Sequence, residues 1–99
     1  MSEHATIVRI LSGRAKAGSE SELVETMRPM VEWFGGQDGC FGAQVARLRE
    51  ESSVIAVISR WRDQASLDAA LNSEDYRTRT APGFALVEGE PTLHHYTSL

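Results

Sequence analysis

Val54-Ile55-Ala56-Val57-Ile58 is an unbroken apolar run that continues into Ser59, Arg60 and Trp61. Successive side chains of a β-strand point to opposite faces, so a strand over 54–61 carries apolar groups on both faces. A sheet with one face in water would instead alternate apolar with polar residues. The first strand, over 5–12, behaves the same way through Thr6, Ile7, Val8, Ile10 and Leu11. Both faces of the sheet therefore need cover.

The segments around that run supply the rest of the architecture. Gly13 to Gly18 reads as a basic, glycine-flanked loop. Ser19 then opens a helix, with Glu22 at capping-box spacing and Glu20 and Glu22 suited to the positive end of the helix dipole. Leu23, Met27, Met30 and Phe34 recur at helical spacing as one apolar stripe, widened by Val24 and Val31. Pro29 removes one backbone bond inside this helix and predicts a kink. Gly35 and Gly36 end it. Gly39 and Gly42 bracket Cys40 and Phe41 where a second strand begins, and that strand continues through Ala43, Val45 and Leu48. Glu50 to Ser53 is a polar turn, so the 54–61 strand returns as a hairpin. Asp63 caps a second helix with Leu67, Ala70 and Leu71. Ser73 caps a short turn around Tyr76, which Pro82 and Gly83 stop. Phe84, Leu86 and Val87 read as a loop against the core, and 92–97 as the last strand.

The order is ferredoxin-like, β-α-β-β-α-β, in the α+β class with a four-stranded antiparallel sheet. Helices at two places in the chain cover one sheet face. A second copy of the chain is the simplest cover for the other, and a monomer whose long loops blanket that face is the alternative.

The 99 residues make a single domain, 1–99, with no repeat or linker. A composition of 41% hydrophobic and 24% charged residues is that of a globular protein. The net charge is −4 and there is no basic block, which argues against nucleic-acid binding. No membrane partner is expected, because no apolar run has the length of a membrane helix. Ile7, Val8, Ile10 and Leu11 are interrupted by Arg9 and too few for a signal peptide. With Cys40 as the single cysteine, no intrachain disulfide can form, and a cytoplasmic location is expected.

Several residues together resemble a known family. Gly39-Cys40-Phe41-Gly42 resembles its second-strand opening, with Asp38 where proline is usual. Trp61 at a strand end, then Asp63, Ala65 and Leu67, then Ser73 and Tyr76, follow its order, as do Pro91 and Tyr96. The family is the antibiotic biosynthesis monooxygenase domain of the dimeric α+β barrel superfamily. The resemblance implies a homodimer whose two sheets face each other as a barrel, with a pocket in each subunit between sheet and helices. It also implies cofactor-independent oxygenation of a small aromatic or quinone-like molecule; a non-catalytic dimeric ligand-binding member is the alternative, and a sugar-phosphate isomerase a third reading. Ala70, Val57 and Leu67 stand where members carry histidine, asparagine and tyrosine. Residues 77–81 hold no histidine, which excludes the haem-degrading branch.

Oxygenation without a cofactor needs a substrate that ionises, an apolar pocket, a base and a donor for the developing oxyanion. The candidate catalytic residues are His94, His95 and Trp61. Adjacent strand residues diverge, so only one histidine can face a given pocket, and Tyr96 shares a face with His94. Trp61 can stack on an aromatic ring, while Tyr96, Arg60 and Arg79 are candidate substrate-binding residues. Each also has a structural reading: exposed histidines on a surface strand, a core tryptophan, a sheet-anchoring tyrosine and solvated arginines. No metal site is expected, because His94 and His95 diverge, His4 lies in a terminal tail and one cysteine makes no cluster. Cys40 reads as buried and inert.

Overall fold

The computed structural model describes residues 6–99; Ala5 and His4 lie outside the described residues. The chain runs β1 (Ile7–Ala15), α1 (Glu20–Gly35), β2 (Cys40–Arg47), β3 (Val54–Trp61), α2 (Gln64–Leu71), α3 (Glu74–Phe84) and β4 (Val87–Thr97). The strands form one antiparallel sheet in the order β2-β3-β1-β4. This is the ferredoxin-like β-α-β-β-α-β arrangement, with its second helical segment divided into α2 and α3.

The alternation expected of β3 is complete. Ile55, Val57, Ser59 and Trp61 are buried, and the residues between them are half-buried. In α1 the buried residues are Leu23, Met27, Met30 and Phe34, the stripe the spacing predicts. These two sets, with Leu67 and Ala70 of α2, form the core between helices and sheet. Each Leu, Ile, Val, Met or Phe among them contributes about 1.5–3 kcal/mol on leaving water. The other sheet face carries Val8, Ile10, Val54, Ala56 and Ile58, all half-buried, beside Tyr96, which is 52% exposed.

Three boundaries differ from the sequence reading, each for a local reason. β1 extends to Ala15 because residues 14 and 15 pair with both Val54 and Val87 flanks of neighbouring strands: Arg14 lies opposite Val54 and Ala15 opposite Val87. β4 accordingly starts at Val87, well before Thr92. Gly89 and Pro91 suggest a break, but they fall at a register shift on an edge strand, where a missing N–H is tolerated. Residues 74–84 form a full helix with Pro82 inside it, because Pro82 sits in the last turn and removes little of the ladder. Its close contact with α1 adds tertiary support at Gly83.

Caps behave unevenly. Asp63 accepts from the Ser66 N–H at 2.8 Å and Ser73 from the Tyr76 N–H at 3.1 Å, as their positions predict. The capping box at Ser19 and Glu22 is not formed. Ser19 occupies the N-cap with φ −106° and ψ 9°, outside the extended geometry that aims a cap oxygen at the helix. Pro29 lies within α1 without dividing it.

Two glycines are required by space. At Gly39, φ is +81° and an added Cβ would fall 2.3 Å from Ser66 Oγ. At Gly83 an added Cβ would fall 1.9 Å from Met27 Cε, so α3 rests directly on α1. Gly83→Ala is expected to destabilise the fold by about 1–3 kcal/mol through overpacking, read as a lower urea midpoint. The Asp63 carboxyl is lowered from 3.8 to about 2, first by the Ser66 backbone N–H, then by the Ser66 hydroxyl and Arg62. A carboxyl depressed on folding stabilises the fold above its unfolded pKa and loses that contribution as pH falls. Between about pH 4 and pH 2 the parent should therefore lose stability that Asp63→Ala never had. Melting curves across that range should show a flatter acid limb for the variant.

Candidate functional site

A cavity of about 40 Å³ lies between the inner sheet face and helices α1 and α3. Its wall is almost wholly apolar: Met27, Met30 and Phe34 from α1, Val57 from β3, and Phe84 and Val87 where α3 turns into β4 are among the residues lining it. Phe84 is 40% exposed, so the cavity lies close to solvent.

One charge stands in this wall. Arg9 shares the inward face of β1 with Ile7 and Leu11, in register between Ser59 of β3 and His95 of β4. It is only 3% exposed. Its Nη2 donates to the Tyr76 hydroxyl at 3.2 Å. The guanidinium carbon lies 5.9 Å from the ring centres of both Phe34 and Tyr76, within the range of cation–π attraction. Nε and Nη1 have no hydrogen-bond partner in the protein.

Tyr76 is held by its place on α3. The Ser73 cap fixes the first turn, and Tyr76 packs 6.0 Å from Phe34 and 6.3 Å from Trp33. Because its oxygen accepts from Arg9, its own O–H remains free to donate. Thr80, also in the wall, is engaged with its own helix through the Tyr76 carbonyl at 2.8 Å.

The residues singled out in the sequence lie elsewhere. Trp61 is fully buried, donates from Nε1 to Ser59 Oγ at 2.9 Å and meets Phe34 edge-on at 5.5 Å. It packs the core and does not line the cavity. His94 and His95 are exposed on β4 and point to opposite faces. His94 and Tyr96 lie together on the outer face, with ring centres 6.2 Å apart. Arg60 joins them there, since Arg60, Val8 and Tyr96 are aligned across β3, β1 and β4. Arg79 is exposed on α3 and sits 5.9 Å from the Trp33 ring centre. The structure thus gathers His94, Tyr96 and Arg60 on the outer sheet face and leaves His95 and Arg79 apart from them.

Other chemistry finds little support. Cys40 is half-buried, and burial pushes its thiol up, away from nucleophilic character. Among the described residues, no group of His, Cys, Asp and Glu is arranged to hold a metal ion, and no helix is long and apolar enough to cross a membrane.

Residues 6–82 match the family described as antibiotic biosynthesis monooxygenase. The chain belongs to that family. Solved structures share its fold over nearly the full length. A conserved protein from Methanosarcina mazei is 17% identical with a TM-score of 0.85, and the match covers 96% of this chain and 95% of that one. A conserved protein of unknown function from Bacteroides thetaiotaomicron is 13% identical with a TM-score of 0.84, covering 96% and 99% of the two chains. A crystal structure of an antibiotic biosynthesis monooxygenase is 16% identical with a TM-score of 0.82, covering 94% and 98%. At such identities the likeness is one of fold. No curated protein matches the sequence.

Within this family member, the site residues that sequence reasoning missed are Arg9 and, as a cavity group, Tyr76. The signal for Arg9 was present. Strand periodicity places it between Ile7 and Leu11 on a single face, a charge at a core position. For Tyr76 no comparable signal exists, because its role depends on α3 crossing α1.

Proposed function

We propose that this member of the family is a cofactor-independent, cytoplasmic monooxygenase of a small aromatic or quinone-like molecule, acting as a homodimer. The observation that carries this reading is the apolar cavity with a buried guanidinium and a phenol O–H in its wall. Ionisation of a phenolic substrate makes its ring carbon electron-rich enough to add O2. The hydroperoxide then loses water as its O–O bond breaks, leaving a carbonyl on carbon. Phenol plus O2 becomes quinone plus H2O, with all four electrons drawn from the substrate. Arg9 would favour the ionised form and Tyr76 would donate to the developing oxyanion, both at low dielectric. His95, on the inner face in register with Arg9, is the candidate to accept the substrate's proton, while His94, Trp61, Tyr96, Arg60 and Arg79 do not line the cavity.

The cavity is small beside the ~150 Å³ apolar cavity that accepts benzene. An aromatic substrate requires the Met27 and Phe84 side chains to give way, and methionine is the side chain best able to do so. The packed Trp61 and exposed histidines favour a second reading, a dimeric ligand-binding member without catalysis. The isomerase reading has no such support, since Arg60 lies on the outer sheet face and Arg79 on α3.

Dimerisation is supported by the half-buried outer row of Val8, Ile10, Ala56 and Ile58. A specific interface typically buries roughly 800 Å² per partner, about what one face of a small sheet offers.

Oxygen uptake with a panel of phenols and naphthoquinols tests the oxygenase reading. The expected result is uptake matched one-to-one by product, with one oxygen atom from labelled O2 in it; binding without uptake would establish the second reading instead. Rates equal to the parent's in both His94→Ala and His95→Ala would remove the histidines from the chemistry. Light scattering at micromolar concentration should give a dimer for the parent and a single subunit for Ile58→Asp. A parent that runs as one subunit would overturn the assembly.

A further inference from the structure

We infer that Arg9 makes the cavity a receptor for planar organic anions, so that the ligand is held by a negatively charged oxygen, whether carboxylate, phenolate or enolate. This rests on the cavity being the binding site and specifies what it takes. An arginine keeps its charge at every pH a protein survives, so burial cannot be relieved by losing a proton. Arg9 makes no ion pair among the described residues, and one neutral hydroxyl is its hydrogen-bond partner. A buried cation left without a counter-charge is strongly unfavourable. The rings of Phe34 and Tyr76 offset part of that cost, but ring faces cannot use the N–H groups at Nε and Nη1. An anionic oxygen in the cavity supplies the missing charge and an acceptor for one of these N–H groups. The surrounding wall of Met, Phe, Leu and Val demands that the remainder of the ligand be apolar. A flat ring bearing one ionised oxygen satisfies both conditions, and its neutral counterpart satisfies only the second.

The position of Arg9 makes this selective. It sits on the central strand β1 with ladders on both sides, so its backbone cannot swing the guanidinium out to solvent. The guanidinium also lies against the Phe34 and Tyr76 rings, its carbon 5.9 Å from each centre, which leaves those directions closed to an approaching oxygen.

The test uses 4-nitrophenol, whose ionised form is visibly coloured, titrated across pH with and without the parent protein. Bound to the parent, its apparent pKa should fall by about one unit or more, the effect of an adjacent opposite charge. Arg9→Lys should retain part of that fall. Arg9→Met should abolish or reverse it while raising the melting temperature, because an apolar side chain replaces an uncompensated charge. In the unaltered protein, benzoate should move the Arg9 Nε–H NMR signal and benzamide should not, which keeps the test decisive even if a variant fails to fold. Binding of 4-nitrophenol with an unshifted or raised pKa, or equal responses to benzoate and benzamide, would overturn anion selection and leave the cavity as a site. Absence of binding by 4-nitrophenol, benzoate and benzamide alike at millimolar concentration would overturn the site itself. Neither result depends on oxygen uptake.

Discussion

The β1–β3 ladder, from Ile7 opposite Trp61 to Arg14 opposite Val54, imposes the constraint from which the other elements follow. Both strands carry apolar side chains on both faces, and both lie in the middle of the sheet. The helices bury the inner set. α1 does so through a single stripe that ends in Phe34, and Phe34 in turn meets Trp61 edge-on. The arrangement leaves the outer set half-buried, and it makes the inner wall the site of the cavity.

Within that wall, packing and chemistry are tightly linked. Phe34 contacts Trp61 on one side and lies near Tyr76 and the Arg9 guanidinium on the other. One ring therefore helps to consolidate the core and to confine the cavity's single charge. The family is known here from sequence and fold, and neither specifies a substrate. The charge and its surroundings narrow the chemistry more than the family does.

Much of the fold was legible because it follows short-range rules. The stripe at Leu23, Met27, Met30 and Phe34 needed only helical periodicity, and the burial of Ile55, Val57 and Trp61 needed only strand alternation. The caps at Asp63 and Ser73 were equally local. The capping box at Ser19 failed because backbone dihedrals, which spacing does not encode, decide whether the oxygen is aimed. The early part of β4 was obscured by Gly89 and Pro91, whose tolerance depends on the strand being at an edge. The site was less legible. Histidines, arginines and Trp61 drew attention as chemical types, yet the group in the cavity is an arginine whose importance arises from the face it occupies. Trp61 is the converse: its chemistry invited a role that its complete burial assigns to packing.

The register shift between Ser12 and Arg14 divides β4 unequally. Beyond it, Ile7 to Ser12 pair with Thr97 to Thr92 in unbroken succession, whereas the strand's first part is held by Arg14 with Glu88, Ala15 with Val87 and the Lys16 N–H donating to the Leu86 carbonyl at 2.8 Å. Phe84 and Val87, at the outer side of the cavity, belong to that weakly fastened end. A displacement of that end, were the chamber to widen, would strain these few backbone pairs and spare the six that anchor the edge of the sheet.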